Sequence, residues 1–517
     1  MDVPTSKQKI VRKDSELHTK QRSNEQALSP APIKLPAPEN LTAESGTGQV
    51  TLRWQTVPGA VGYLVLRSKS PTSPFTQIDH GGGDVLAVPG PPYVDTTGIP
   101  GQRYCYTVTA ISDTQSTQSE HASIVKAGSL EYAAKSITLH VKARTVDGLL
   151  KPIWHMLGSD HLSQIFYDKD RHGNQIGSDF EEALRLASTE LGATHIRAHA
   201  ILNDEQGVYK EVSGKPHYDF TAIDRIYDHL LQIGLQPIVE LSFMPHDLAA
   251  RPNETVFTGG IISPPRDWQR WGELNQRLAE HLVQRYGIEE VSKWGFEIWN
   301  EANLEAFWTG TQADYFKLYD IAARAIKAVD TRLRVGGPST AAAEWISDFL
   351  DFVQHEHVPL DFISTHTYGN FPLDIKQALE TRGMYGIKTW WTAWGITPTH
   401  FAEINDSAFA APFVLHGMKS AQGRVDALAN WAISDHCDEL GRPPRLLHGG
   451  SGLLTVGNLR KPRYWALALA ESLDTQLIKI EIDGDGARSM VDAWASRKPN
   501  GTVDLLIWNG TLNQSKF

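Results

Sequence analysis

The chain has 517 residues, of which 41% are hydrophobic and 21% are charged, and its formal net charge at pH 7 is −11. A chain of this length is too long for one hydrophobic core, so we expect two or three domains. The acidic balance argues against a nucleic-acid-binding protein, which would need a basic face, and no apolar run is long enough to span a membrane.

Residues 1–35 are polar and lysine-rich and contain no apolar stretch of signal-peptide length. We interpret them as a disordered leader and linker, because the proline-rich patch 29–38 is typical of a semi-rigid spacer. The compartment is therefore left open: extracellular or periplasmic if an export signal has been removed, and cytoplasmic otherwise. The 2 cysteines, Cys105 and Cys437, fall in segments that we assign to different domains, so no disulfide is expected.

Residues 36–128 alternate between polar and apolar side chains in short runs that are separated by turns. The predicted strands include 49–54, 62–67 and 104–110. This pattern, without helical signals, indicates a small β-sandwich. Trp54 and the segment 100–106 resemble a fibronectin type III module, with Trp54 in its core and Tyr104 at its tyrosine corner. We interpret the aromatic residues as core packing, and the module as a spacer or docking surface.

Residues 129–149 form a predicted strand segment that joins a later sheet, and 150–455 alternate between apolar strands and amphipathic helices. The predicted strands are 153–157, 194–199, 237–243, 294–300, 333–337, 361–366, 388–394 and 427–434. The predicted helices include 179–191, 220–233, 268–286, 313–329, 343–353 and 407–421. Such alternation is the pattern of a (β/α)8 barrel.

Residues 456–517 contain a final barrel helix and then strands at 477–482 and 503–509, which predict an accessory β-sandwich. The segment is short for a complete sandwich, which suggests a truncated domain. The predicted fold is therefore α/β: a (β/α)8 TIM barrel flanked by an N-terminal fibronectin type III-like β-sandwich and a C-terminal β-sandwich.

In such barrels the reacting groups lie at the C-terminal ends of the strands. Glu301 directly follows the apolar strand 294–300, where a buried core would not place a charge. The other side chains at predicted strand ends are Arg197, His199, Phe243, Asn300, His366, Tyr368 and Trp394. Polar groups beside aromatic rings suit a sugar, which has both hydroxyls and apolar C–H faces. Glu297 lies about 13 Å further down the strand, and we interpret it as structural.

Glycoside hydrolysis needs two carboxylates, which in retaining enzymes lie about 5–5.5 Å apart. The ends of strands four and seven can meet that distance across a barrel. Glu301 supplies the first carboxylate. The second is expected at position 393, which is Ala393.

Several segments in order resemble glycoside hydrolase family 39, the family of β-xylosidases and α-L-iduronidases, over roughly residues 150–475. The matching segments are 239–245, 296–304, 307–312, 334–338, 361–368, 449–454 and 461–466. The resemblance implies a retaining exo-glycosidase of plant-type polysaccharides or oligosaccharides, most similar to a β-xylosidase. It implies double displacement with Glu301 as acid/base, Asn300 at the sugar 2-hydroxyl and Arg197 near the floor.

The remaining predicted sugar contacts are His199, His366, Tyr368, Phe243, Trp308 and Trp394. We expect no cofactor and no metal. A carbohydrate substrate is the expected partner, and the sequence predicts no oligomeric state.

Three positions depart from the family pattern: Ala302 replaces a proline, Ser451 replaces a phenylalanine, and Ala393 replaces the nucleophilic glutamate. A methyl group cannot attack an anomeric carbon, and loss of a nucleophile costs several orders of magnitude in rate. Glu403 and Asp406 follow strand seven, but a loop acid would have to fold back across the pocket to replace it. Ala393 therefore indicates either an inactivated enzyme or a natural pseudoenzyme that binds sugar.

Two alternatives stay open: an α-L-arabinofuranosidase acting on arabinogalactan side chains, and a non-catalytic carbohydrate-binding protein. Iduronate is less expected, because a uronic acid needs more basic groups than Arg197 alone. A metal site at 355–357 is a weak alternative, because that spacing seldom forms a complete ligand set.

Overall fold

A two-sheet β-sandwich comes first in the computed structural model, which describes residues 35–113, 118–131, 136–169, 176–256, 259–436, 443, 445–487 and 490–516. One sheet has the order β1–β2–β6, and the other has the order β4–β3–β7–β8 with β5 beside β3. The strands are β1 (Thr42–Gly46), β2 (Gln49–Arg53), β3 (Gly62–Ser68), β4 (Thr76–Gln77), β5 (Ala87–Val88), β6 (Tyr93–Asp95), β7 (Arg103–Ile111) and β8 (Val125–Gly128).

Aromatic side chains fill the core of this N-terminal module, as the alternating pattern predicted. The Trp54 and Tyr63 rings lie 5.3 Å apart. The Ile99 N–H donates to the Tyr104 hydroxyl at 3.2 Å, the bond expected at a tyrosine corner. The predicted N-terminal sandwich is confirmed. The predicted leader, apart from Leu35, and Cys437 of the disulfide argument lie outside the described residues.

A closed barrel of parallel strands follows, and the predicted (β/α)8 barrel is confirmed. After β9 (Thr138–Leu149), its strands are β10 (Met156–Ser159), β11 (His195–Ala198), β14 (Gln236–Glu240), β15 (Gly295–Glu297), β16 (Val335–Thr340), β17 (Phe362–Tyr368), β18 (Lys388–Gly395) and β19 (Ala427–Asn430); β12 (Tyr209–Val212) and β13 (Lys215–Tyr218) form an inserted hairpin. The helices are α1 (Gly177–Glu190), α2 (Thr221–Ile233), α3 (Trp268–Tyr286), α4 (Ile288–Val291), α5 (Gln312–Val329), α6 (Ile346–Glu356), α7 (Lys376–Glu380), α8 (Ala410–Ala421) and α9 (Pro462–Glu471).

Two of the long helices begin at side-chain caps that the sequence supplies. The Asp267 carboxylate accepts the N–H groups of Gln269 and Arg270 and caps α3, and Thr311 and Asp314 form a capping box at α5. The longer helices bury apolar side chains, and the barrel strands are largely buried on both faces, as in a closed parallel barrel. None of the helices in the described ranges is long and apolar enough to cross a membrane.

A four-stranded antiparallel sheet, β22–β21–β20–β9, packs beside the barrel. Its last three strands are β20 (Gln476–Asp483), β21 (Val491–Arg497) and β22 (Val503–Asn509). Trp494 on this sheet lies 6.4 Å from Trp154 of the barrel and 5.2 Å from Trp508, measured between ring centroids. Within the described residues the predicted C-terminal sandwich is therefore seen as a single sheet. Because β9 precedes the barrel and β20 follows it, this sheet ties the two ends of the barrel sequence together.

The N-terminal module shares a core with the barrel. Its side chains Val61, Leu64 and Ile111 belong to the same buried cluster as the barrel residues. The Asp374 N–H donates to the Val61 carbonyl at 2.7 Å, so a main-chain bond joins the two at this contact. The module is thus fixed against the barrel rather than held apart from it.

Candidate active site

Glu301 lies at the mouth of the barrel, just beyond β15. Its side chain is 14% exposed, and its Oε1 lies 2.7 Å from Nδ1 of His366, which is buried. The carboxyl group is therefore held in place by one partner while remaining accessible to a ligand. This is the position in which a general acid can reach the oxygen of a glycosidic bond.

Arg197 is fully buried below Glu301 and organises the floor of the site. Its Nε donates to Glu297 at 2.6 Å, and its Nη2 donates to Asn300 Oδ1 at 2.9 Å and lies 2.7 Å from Glu240. Burial would lower the pKa of Arg197, but the charges of Glu240 and Glu297 raise it above the ordinary value. Because Oδ1 of Asn300 is held by a permanent cation, its Nδ2 is the group that can donate to a sugar hydroxyl.

A chain of hydrogen bonds connects this floor to Glu301 and to the residue before position 393. Arg197 donates to Ser339 Oγ at 3.0 Å, and Ser339 Oγ lies 3.1 Å from Nε2 of His366. The Thr392 hydroxyl lies 3.1 Å from the same Nε2 and donates to Glu297 at 2.8 Å. Because Ser339 accepts from Arg197, its hydroxyl hydrogen is available to Nε2, and with that tautomer Nδ1–H of His366 donates to Glu301.

The backbone around Glu301 is held in an uncommon conformation. Trp299, Glu301 and Ser339 have φ values of 72°, 45° and 54°. Each such residue costs on the order of 1–3 kcal/mol and persists only where its surroundings hold it. Here the Trp299 indole donates to the Phe307 carbonyl at 2.9 Å, and the Glu301 N–H donates to the Ser339 carbonyl at 2.9 Å. This turn places Asn300 toward Arg197 and Glu301 toward the opening.

His199 forms the opposite wall of the site. Its Nδ1 lies 2.8 Å from Glu240, and its ring centroid lies 4.8 Å from that of Trp431 and 6.4 Å from that of Phe243. Burial favours a raised pKa for Glu240, but the charges of Arg197 and His199 lower it below the ordinary value. The carboxylate therefore orients the imidazole, which faces the pocket between two aromatic rings.

Ala393 lies beside this site and is buried. It pairs with His366 in the register of β17 and β18 and packs with Tyr368, Trp431 and Ala432. Thr365 of β17 pairs with Trp391 of β18, and the next residue, His366, pairs with Ala393. β18 therefore has one extra residue here, Thr392, which is a β-bulge. The bulge lets Thr392 contact Glu297 while its neighbour Ala393 contacts Tyr368 and Trp431.

Trp308 and Trp394 are placed behind the mouth. Trp394 is fully buried, donates to the Asn370 carbonyl at 2.8 Å, and stacks on Phe413 of α8 with centroids 5.3 Å apart. Trp308 is 2% exposed and packs against Trp299 at 5.0 Å. The structure brings together the other predicted sugar contacts, which are Arg197, His199, Phe243, Asn300, His366 and Tyr368.

The two loop acids are not positioned as replacements for the nucleophile. Glu403 is exposed, and Asp406 pairs with Lys461 at 2.6 Å and accepts the Gly449 N–H. The side chain of His355, in the metal site considered at residues 355–357, is 84% exposed. The described residues contain no group of three or more side chains that could hold a metal ion.

Sequence reasoning missed Glu240, Ser339, Thr392 and Trp431. Trp431 directly follows β19, so the rule that site residues follow strand ends would have included it. Ser339 and Thr392 reach the site because bulges turn them inward, and a bulge leaves no signal in an apolar strand sequence. Glu240 is a buried carboxylate within a strand, and its role depends on two partners that are distant in sequence.

A (β/α)8 barrel with an accessible carboxyl group after its fourth strand, above a buried arginine and an asparagine, has the acid that glycoside hydrolysis requires. The sequence model of glycosyl hydrolases family 39 matches residues 138–514, and the chain belongs to this family. The predicted family is thereby confirmed.

The chain is similar to two β-xylosidases over most of the barrel. It is 37% identical to the enzyme of Caldicellulosiruptor saccharolyticus over 332 residues, which are 59% of this chain and 67% of the relative. It is 33% identical to that of Geobacillus stearothermophilus over 382 residues, which are 67% of this chain and 73% of the relative. The crystal structure of the GH39 enzyme from Xanthomonas axonopodis pv. citri matches with a TM-score of 0.64 at 32% identity, covering 74% of this chain and 76% of that one.

Proposed function

We propose that the barrel mouth binds a terminal β-xyloside as a retaining β-xylosidase does, with Glu301 as the acid/base and Ala393 in place of the nucleophile. The main support is the ordered set of bonds that surrounds Ala393. Thr392 beside it donates to Glu297, and His366, the register partner of Ala393, holds Glu301. The similarity to two β-xylosidases favours a xyloside over other glycosides.

The proposed site has the acid/base of a double displacement but lacks its nucleophile. In the first step of that mechanism, an acid protonates the departing oxygen while a carboxylate attacks the anomeric carbon. Glu301 can supply the proton, and Asn300 Nδ2 can hold the sugar hydroxyl next to the reacting carbon. The Ala393 methyl group has no lone pair to form the covalent intermediate. The chain as it stands should therefore bind the glycoside and release it intact.

Replacement of Ala393 by glutamate tests this function. We expect Ala393→Glu to hydrolyse p-nitrophenyl β-D-xylopyranoside at least about three orders of magnitude faster than the unaltered chain, because the catalytic pair is complete again. Ala393→Gln is the matched control, since it has the same shape without a nucleophile. The measurement is release of nitrophenolate, with p-nitrophenyl α-L-arabinofuranoside as a second substrate to separate the two specificities.

A non-catalytic carbohydrate-binding protein is the second candidate, and the buried methyl group of Ala393 is the observation that favours it. If Ala393→Glu and Ala393→Gln are equally inert on a broad panel of nitrophenyl glycosides while the unaltered chain binds one of the sugars, this second candidate replaces the first.

A further inference from the structure

A loop of the N-terminal module, residues 80–86, lies on the ends of β17 and β18 at the barrel mouth. The Asp84 N–H donates to the Tyr368 carbonyl at 3.0 Å, and the Tyr368 N–H donates to Asp84 Oδ2 at 2.9 Å. Asn370 donates to the Val85 carbonyl beside them. The backbones touch at two glycines, since a Cβ on Gly369 would lie 2.3 Å from Cα of Gly83. We refer to residues 80–86 as the roof loop.

The roof loop is fixed from its other side as well. The Gln514 N–H donates to the His80 carbonyl at 2.8 Å, and the Gln514 side chain donates to the Ile396 carbonyl at 2.6 Å. Ile396 directly follows β18. The loop is therefore held between the strand ends of the barrel and the last described turn of the chain.

The Asp84 carboxyl group is incompletely satisfied. Its Oδ2 accepts the Tyr368 N–H, and its buried Oδ1 has no partner at full hydrogen-bond geometry within the described residues. Burial raises the pKa of Asp84 to about 8, and the charge of Glu301 raises it in the same direction. The backbone N–H groups of Asp84 and Val85 lie near the carboxyl group and lower its pKa in part. A buried polar atom without a partner is uncommon in a folded protein and calls for a ligand or another functional reason.

The position of Tyr368 locates Asp84 relative to the reacting groups. Tyr368 lies two residues beyond His366 on β17, so the two side chains point to the same side of the strand. His366 binds Glu301, and Tyr368 packs against the cluster that contains Ala393. Asp84 is therefore at the rim of the pocket. It lies over the end of β17, the strand that carries His366, which binds Glu301, and Tyr368, which packs beside Ala393.

We propose that Asp84 is a sugar-binding residue contributed by the N-terminal module, and that its Oδ1 forms a hydrogen bond with a hydroxyl of the glycoside bound beside Glu301. This inference rests on the proposed function of the barrel mouth as a glycoside site. The family match begins at residue 138, so Asp84 lies outside the region that the family assignment covers. The substrate preference of this chain would then depend on a residue from the accessory module.

The test measures Kd by calorimetry for methyl β-D-xylopyranoside and for its 2-, 3- and 4-deoxy analogues. The proteins are the unaltered chain, Asp84→Ala, Asp84→Asn, and the control Glu44→Gln, which changes an exposed carboxylate of the same module. We expect Asp84→Ala to weaken binding of the parent xyloside at least tenfold and Glu44→Gln to leave it unchanged. For one deoxy analogue, the unaltered chain and Asp84→Ala should bind equally, because that analogue lacks the hydroxyl that Asp84 contacts.

The outcomes separate this inference from the function on which it rests. If the unaltered chain binds the xyloside and Asp84→Ala loses the same factor for all three deoxy analogues, or loses nothing, Asp84 makes no direct contact and the inference is wrong. If Asp84→Ala does not fold, Asp84→Asn is measured with the same deoxy analogues, because its Nδ2 replaces Oδ1 as the group that faces the hydroxyl. A ratio of deoxy to parent Kd that differs from that of the unaltered chain for one analogue supports the contact, and equal ratios for all three contradict it. If the unaltered chain binds neither the xyloside nor methyl α-L-arabinofuranoside, and Ala393→Glu is inert, both proposals fail.

Discussion

The proposed role of position 393 can be tested with a small anion. Ala393 packs with Tyr368, Trp431 and Ala432, and its register partner His366 binds Glu301. A glutamate side chain is larger than a methyl group by a carboxyl and a methylene group. If Ala393 stands in place of the nucleophile, as proposed, we expect a small anion to reach the anomeric carbon from this side.

Azide should therefore replace the missing nucleophile in the unaltered chain. With 2,4-dinitrophenyl β-D-xylopyranoside, whose leaving group needs no protonation, azide attacks the anomeric carbon, the C–O bond breaks, and α-xylosyl azide forms with inverted configuration. We expect the rate to rise by about tenfold or more with azide concentration, followed by dinitrophenolate absorbance and product NMR. Ala393→Leu, whose larger side chain would obstruct this approach, is the control. A rate that is independent of azide in both proteins would mean that no xyloside occupies the mouth productively.

Arg197 is the residue on which the buried part of the site depends. Removing it would leave the carboxylates of Glu240 and Glu297, both fully buried, without their cation. We expect Arg197→Ala to lower the free energy of unfolding by about 3–5 kcal/mol, measured by urea denaturation. Arg266→Ala removes a surface ion pair to Glu211 whose arginine is 51% exposed, and should cost only about 0–1 kcal/mol. Equal losses in the two variants would contradict the structural role assigned to Arg197.

At the scale of elements, apolar runs predicted all the barrel strands, but not where each one begins and bends. Ile153 and Trp154 are apolar and buried, yet they lie in a 3-10 turn, and β10 begins at Met156. The helix predicted from 343 begins at Ile346, because Ala343 and Trp345 have positive φ values. An apolar pattern indicates which residues are buried, but it does not indicate their backbone angles. The true starts of β10 and α6 could therefore not be predicted from it.

The candidate site could be predicted in part for the same reason. Glu301, Asn300 and His366 follow apolar strands, and a barrel places such residues at its mouth. Trp308 and Trp394 were predicted as sugar contacts from their motifs, but one packs behind Trp299 and the other faces α8. Which side of a bulged strand faces the pocket is decided by its neighbours, and one sequence does not contain that information.

The seating of the roof loop can be tested through its glycine contact. Gly369 has a φ of +73° and touches the backbone of Gly83, whereas Gly383 has a φ of +69° and no atom within 4 Å of an added Cβ. Gly383→Ala should cost about 1–2 kcal/mol from its backbone conformation alone. We expect Gly369→Ala to cost roughly 1–3 kcal/mol more in urea denaturation, because it also displaces the loop. If the two substitutions cost the same, the loop does not press on β17.

At the scale of the whole molecule, contacts join the N-terminal module to the barrel and the strand before the barrel to the sheet after it. The module shares its core with the barrel through Val61, Leu64 and Ile111, and β9 pairs with β20 across the barrel sequence. The pairing of β9 with a later sheet was expected from the sequence, because the C-terminal segment looked too short to be complete. The contact of the module with the barrel was not predictable, because each of those two segments looks complete by itself. The sequence analysis expected the module to be a spacer or docking surface, and its position against the barrel mouth follows only from the tertiary structure.

Such shared cores predict cooperative unfolding of the N-terminal module with the barrel. We expect differential scanning calorimetry of the full chain to give a single transition. The loss of near-UV circular dichroism on heating should occur at the same temperature. Hydrogen exchange at β7 of the module and at β17 of the barrel should then report similar opening free energies. A separate earlier transition confined to the module would show that the two parts unfold independently.

The bonds of the roof loop also bear on biosynthesis. Asp84 and Tyr368 are separated by 284 residues, and Gln514, which binds the His80 carbonyl, comes later still. On the ribosome the loop therefore emerges well before the strand ends and the turn that secure it. The module can begin to fold first, while the pocket beneath its loop is completed only after β17 and β18 have been synthesised.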